Sequence, residues 1–266
     1  MNGTVNNTLD EVPCGMVKSP YTKYSIKDWI NALCQRGYNC ENISVSSISD
    51  KYALILNPFG EEYPETDLNK LSSFNKIVEY VSKGGVFVCA GGLPFWYAWL
   101  TPKTPNGISV VREEDRRIPI FDRGTAIIRS IKVVGEKVMI ETAAPLYSGL
   151  YGKMFFGVEV TGGDPAPVQL EEDPDFDGLL KPWGQPKINE FRATFRSAFL
   201  PITPIVHATR EGLHVYPIVA VGYRLGYLIS AGINLDEDPH GNVLEIIVSS
   251  IDMFVKNRQP EINALK

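Results

Sequence analysis

Apolar residues at Ile26, Trp29, Ile30, Leu33 and Cys34 fall at the three- and four-residue steps of one helix face. Ser25 stands before them as N-cap with Asp28 as the capping-box acid three residues on, and Gly37 supplies a stop. Short strands are predicted at 14–17 and 43–48. The unbroken apolar run 52–56 has the length of a strand buried on both faces, and Asn57, Pro58 and Gly60 break it. Thr66 caps a second predicted helix, whose core-facing stripe is Leu68, Leu71, Phe74, Ile77, Val78 and Val81. Gly84 and Gly85 end it, a strand is predicted at 86–89, and an aromatic-rich helix at 93–100 carries Pro94 in its first turn. Alternating strands and helices predict βαβ units, and so a parallel sheet covered by helices on both faces.

Helical periodicity almost vanishes between 101 and 204, which hold 11 of the 19 prolines. Hairpin patterns replace it. Segments 126–134 and 137–141 flank Gly135 and Glu136, a two-residue turn, and segments 155–160 and 168–170 flank Gly162 and Gly163. A short helical piece is predicted at 191–199. Strands follow at 213–221 and 227–234, joined around Gly222 and Gly226. Leu244, Ile247, Val248, Ile251, Phe254 and Val255 form the buried stripe of a last helix. The expectation is one α/β domain over 1–266: a mainly parallel sheet with helices on both faces, plus an inserted antiparallel β flap or subdomain at 101–204.

Composition narrows the partners more than the reaction. With 44% hydrophobic and 21% charged residues in 266, the chain has material for a sizeable core and is not a disordered polymer. Net charge is −5 and no long basic stripe appears, so no nucleic-acid partner is expected. Arg112, Arg116, Arg117 and Arg123 are interleaved with Glu113, Glu114, Asp115 and Asp122, the pattern of a salt-bridged surface. No run approaches the ~18–20 apolar residues of a membrane span, so no membrane partner is expected. The polar start lacks the basic-then-apolar order of a secretory signal, and the 4 cysteines show no C-x-x-C spacing. Reduced thiols in a cytoplasmic protein are the expectation. No P-loop or G-x-G-x-x-G motif is present, and no cofactor is predicted.

Three features share one pattern. A buried strand ends in the polar turn at Asn57–Gly60. A helix ending in Gly84 and Gly85 leads to a strand tipped by Cys89, Ala90, Gly91 and Gly92. The run 217–230, from Pro217 through Gly222 and Gly226 to Ser230, precedes the last helix. Together they resemble the class I glutamine amidotransferase-like superfamily, nearest its trehalose-utilisation (ThuA-like) and related uncharacterised branches. The resemblance covers roughly 13–100 and 205–256 and implies a flavodoxin-like three-layer sandwich. It implies Cys89 as a nucleophile on a tight strand-to-helix turn, with turns at Gly60 and at Ala90 and Gly91 as oxyanion or ligand-binding donors. Trp96, among the rings that follow, is a pocket-lining candidate. His240 takes the place of the base and Glu237 that of its orienting acid.

Two departures weaken that chemistry. Phe87 stands two before the Cys, where the family has a small residue, and no His-x-Glu exists. The expectation is therefore a degenerate amidotransferase-like domain that binds a small-molecule ligand or a protein partner at the carboxyl edge of the sheet. The alternative is an active Cys-dependent amidohydrolase or amidotransferase. His207 and His214 alternate with apolar residues and are expected to be hydrogen-bonded at a sheet edge, with no metal site. Asp173, Asp175, Asp177 and Gly178 match the first half of a calcium loop, but Gly184 occupies its twelfth position, so a solvated acidic loop is the favoured reading.

Overall fold

The computed structural model describes residues 12–15, 24–58, 71–92, 97–100, 117–119, 125–134, 137–143, 158–164, 168–188, 191–197, 202–210, 212–235 and 241–264. The first helix forms where its capping signal lies. In α1 (Ile26–Cys34) the Ser25 hydroxyl accepts from the Asp28 amide, and the Asp28 carboxylate accepts from the Ser25 amide at 2.7 Å. Its end is equally well specified. The Tyr38 amide reaches back to the Leu33 carbonyl at 3.3 Å and the Gly37 amide to the Cys34 carbonyl at 3.0 Å. That is a Schellman motif with Gly37 at φ +88, and the buried Leu33 and Tyr38 lie at the positions that pack together in such a motif.

The chain then runs through β1 (Val12–Gly15), β2 (Cys40–Ile43), β3 (Leu54–Asn57) and β4 (Val86–Ala90), with α2 (Leu71–Ser82) between β3 and β4. Near the other end come β14 (Ile202–Arg210), β15 (Leu213–Tyr223), β16 (Gly226–Ala231) and a long helix α3 (Val243–Ala264). With the short β11 (Glu171–Glu172) these strands build one open sheet in the order β11-β14-β15-β16-β4-β3-β1-β2. Strands β2, β1, β3, β4 and β16 pair in parallel, and β16, β15, β14 and β11 pair antiparallel.

Alternation along the strands sorts side chains between two faces. Leu54, Leu56, Val86, Val88, Ala90, Ile229 and Ala231 share one buried cluster with Trp29 and Leu33 of α1 and Ile247, Ile251 and Phe254 of α3. Each large side chain withdrawn from water there contributes about 1.5–3 kcal/mol. Ile55, Phe87, Cys89, Leu228 and Ser230 face the other way, where α2 packs against β4 and β16.

Several expectations are corrected. The fold is not the mainly parallel flavodoxin-like sandwich: the open sheet is mixed, with four parallel and three antiparallel pairings, and the remaining described strands add five more antiparallel pairings in three smaller sheets. A buried apolar run has the same composition whichever way its neighbour points. The connection decides direction, and the two-residue turn at Arg224 and Leu225, with Arg224 at φ 54, forces β15 and β16 antiparallel. The predicted helix at 93–100 is a strand over its described part, β5 (Tyr97–Leu100). It pairs with β8 (Lys137–Ala143), which pairs in turn with β7 (Thr125–Val134), and β7 with β6 (Arg117–Pro119). Aromatic residues suit a pleated surface as well as a helix, and the available partner strand settles the outcome. The helical piece at 191–199 is likewise a strand, β13 (Phe191–Ser197), paired with β9 (Val158–Asp164). Gly162 and Gly163 lie inside β9 rather than in a turn, and β10 (Val168–Gln169) pairs with β12 (Lys187–Ile188). The strand predicted at 43–48 ends at Ile43 and gives way to a 3-10 turn at Val45–Ser47. Thr66 and Leu68 lie outside the described residues.

Two glycines differ sharply in what they tolerate. A Cβ at Gly226 would sit 2.2 Å from the Val81 carbonyl oxygen and 2.4 Å from that of Gly85, both backbone atoms. A Cβ at Gly37 meets nothing within 4 Å and strains only the left-handed backbone. Gly226→Ala is therefore expected to cost about 3 kcal/mol or more and Gly37→Ala about 1–2 kcal/mol. Urea unfolding midpoints of the two variants check the order, and equal losses would contradict it.

Candidate functional site

The sheet brings three polar side chains together at the carboxyl ends of its parallel strands. Asn57 of β3, Cys89 of β4 and Ser230 of β16 are lateral partners in register, so they form a row on one face. None is more than 2% exposed. The Asn57 side chain hydrogen-bonds the Cys89 thiol, while the Ser230 hydroxyl has no hydrogen-bond partner among the described residues. A buried hydroxyl without a partner costs about 1–3 kcal/mol.

Cys89 does not sit on an elbow. It is the fourth of five residues in a strand buried along its whole length and paired on both sides. Burial pushes its thiol far up, and the Asn57 hydrogen bond only partly opposes that. The thiol is therefore protonated at neutral pH, and a protonated, solvent-excluded thiol is not a nucleophile. The amide of Gly91 is also committed, donating to the Ala231 carbonyl at 2.8 Å, and Ala90 is fully buried within the ladder. Among the described residues the amides of Gly91 and Gly92 at that tip both point to the Ala231 carbonyl and do not form an oxyanion hole. Of the other residues implied by the resemblance, Gly60, Trp96, Glu237 and His240 lie outside the described residues.

Phe87 occupies the same face two residues earlier. With Ile43, Val45, Ile48 and Ile55 it lines a small apolar cleft that reaches Ser44 and Asn57. Its free volume of about 10 Å³ holds roughly one water and no organic ligand. Phe87 causes no strain, because the chain stays extended through it.

At the opposite margin of the sheet the histidine ring of His207 lies 3.2 Å from the Glu171 carboxylate, across the β11–β14 pairing. Its ring meets that of His214 edge-on at 5.7 Å between centroids. Among the described residues no three metal-ligating side chains converge. The acidic loop is also built by its own backbone. Asp173 accepts from the Asp175 amide at 3.2 Å, and Glu172 accepts from the amides of Gly178 and Leu180 at 2.8 and 2.5 Å. Two of its carboxylates thus serve as caps, and the calcium reading has no ligand set here.

Sequence patterns did not reveal how the α1 turn is anchored. Arg36 donates to Glu245 at 2.8 Å and Ser249 at 2.7 Å, one turn apart on α3, and to the Ala32 carbonyl at 2.9 Å. Tyr38 beside it is buried, and that burial together with the Asp252 carboxylate pushes its hydroxyl well above the ordinary tyrosine range. The i, i+4 spacing of Glu245 and Ser249 was the available signal, but the partner lies over two hundred residues away.

Two outcomes test this description. In the folded protein Cys89 should resist alkylation at neutral pH and react only on unfolding, and rapid labelling of the native chain would contradict its burial. Ser230→Ala should leave stability unchanged or raise it by about 1 kcal/mol, as removal of an unpaired buried hydroxyl does. A measured loss would show that the hydroxyl is satisfied.

No protein-family model matches the chain, and no curated protein matches it. Solved structures do. A β-galactosidase from Bacillus circulans sp. alkalophilus aligns with 95% of this chain at 11% identity and a TM-score of 0.51, using 31% of its own length. One from Rahnella sp. R3 aligns with 93% at 11% identity and a TM-score of 0.51, again over 31% of its length. The cytoplasmic protein STM1381 from Salmonella typhimurium LT2 aligns over 93% of this chain and 98% of its own, at 10% identity and a TM-score of 0.53. The chain thus spans about a third of the β-galactosidases it matches and nearly all of the Salmonella protein. These likenesses overturn the expected kinship with glutamine amidotransferases, and with it the amidotransferase-like function, degenerate or active. The chain is similar in fold to part of these β-galactosidase chains and to the Salmonella protein STM1381.

Proposed function

We propose that the chain is a non-hydrolytic accessory domain of carbohydrate-processing systems, of the kind that makes up about a third of the β-galactosidase chains it resembles. The observation that supports this reading is the extent of the match: almost the whole chain superposes on a minority of each glycosidase. Glycoside hydrolysis needs two carboxyl groups facing each other across a sugar-sized cleft, one protonated and one ionised. Six of the described carboxylates have other partners. Glu41 binds Lys51, Glu79 binds Lys83, Glu245 binds Arg36 and Asp252 binds Lys256. Glu172 and Asp173 cap backbone amides. The described cleft at Phe87 is too small for a sugar ring.

A cytoplasmic setting belongs to the same reading, and the likeness to the cytoplasmic Salmonella protein, aligned nearly end to end, supports it. No described helix is long and apolar enough to cross a membrane. That Cys34, Cys40 and Cys89 are not in disulfides suits a reducing compartment.

The test is hydrolysis of a nitrophenyl β-galactoside by the purified full chain. The expected result is no release above a protein-free control over hours at micromolar protein. Release that rises in proportion to protein concentration would overturn the proposal.

A further inference from the structure

Cys34 and Cys40 are six positions apart, yet the fold sets them side by side. Cys34 is the last residue of α1 and Cys40 the first of β2. Between them the Schellman turn at Gly37 reverses the chain, so the Cys34 sulfur lies against both the thiol and the backbone of Cys40. The turn is held in this shape from outside. Arg36, within it, is fastened to Glu245 and Ser249 of α3, and Tyr38 is buried in the core. Cys34 is exposed and Cys40 half-buried, which gives an incoming reagent one sulfur to meet first and a second sulfur behind it. This differs from Cys89, which no reagent reaches in the folded chain.

We propose that Cys34 and Cys40 form a reversible dithiol–disulfide modification site, oxidised by a small-molecule disulfide of the glutathione class. The Cys34 thiolate attacks one sulfur of the oxidant, giving a mixed disulfide and releasing one oxidant thiol. The Cys40 thiolate then attacks the Cys34 sulfur and displaces the second thiol. The protein loses two electrons and two protons, both carried away on the two released thiols. Exposed cysteines with a resolving thiol beside them are the ones that respond to such reagents. Partial burial and the neighbouring Cys40 raise the Cys34 thiol above its ordinary range, so the reaction favours mildly alkaline pH. The bond would close a loop of only five intervening residues, 35–39, a local staple that does not rearrange the sheet.

The test is peptide mapping of the native full chain after incubation with oxidised glutathione, under non-reducing conditions. Trypsin cuts after Lys27, Arg36 and Lys51, so the two sulfurs fall on separate peptides, 28–36 and 37–51. The expected product is these two peptides covalently joined, separated by reductant, and absent altogether from Cys34→Ser protein. Cys89 should remain unmodified, which reports that the chain stayed folded. Recovery of the two peptides unlinked, whether free or each carrying glutathione, would overturn the proposal. So would a link from Cys34 to Cys14.

Discussion

Strand β4 carries the constraint on which the rest of the structure depends. All five of its residues are buried, so each backbone amide and carbonyl must find a partner away from water. Only a strand on each side can supply them, and β3 and β16 do so in parallel register. Pairing to β16 requires the chain to return from more than a hundred residues away. Once there, the tight turn at Arg224 and Leu225 makes β15 antiparallel to it, and β14 and β11 extend that half to the edge. The mixed character of the sheet therefore begins beside its most buried strand.

The same strand decides what its chemistry is. Its alternation sends Val86, Val88 and Ala90 into the core under α1 and α3, and Phe87 and Cys89 to the α2 face. A Cys in that position is a small buried group beside Asn57 and Ser230 rather than a reagent. A nucleophile elbow would require the strand to end at Cys89 and turn sharply. It continues instead to Ala90, and the Gly91 amide closes on Ala231. The thiols proposed as a redox pair are instead the two that flank the Gly37 turn, one exposed and one half-buried.

Much of the fold was legible locally. The capping box at Ser25 and Asp28, the stop at Gly37, the buried runs that become β3 and β4, the hairpin strands β7 and β8, and the stripe of α3 all follow from nearest neighbours in sequence. The misread elements are those with two acceptable local states. The aromatic stretch ending in β5 and the segment of β13 suit a strand or a short helix equally, and remote partners, β8 and β9, selected the strand. The site was less legible still. Cys89 carried the right neighbours for an elbow, but its exposure and protonation follow from packing, which no spacing encodes.

What the sequence by itself determined is therefore the set of elements with strong local signals: where α1 begins and ends, which runs are too apolar to be exposed, and which residues cannot leave the core. Those signals act over one or two turns of chain, through caps, left-handed glycines and burial. Only the tertiary structure decided strand direction, the row Asn57–Cys89–Ser230, the anchoring of Arg36 on α3 and the meeting of Cys34 with Cys40. Each of these depends on hydrogen bonds or contacts between positions whose separation in space is unrelated to their separation in sequence, and such pairings exist only after the chain has closed on itself.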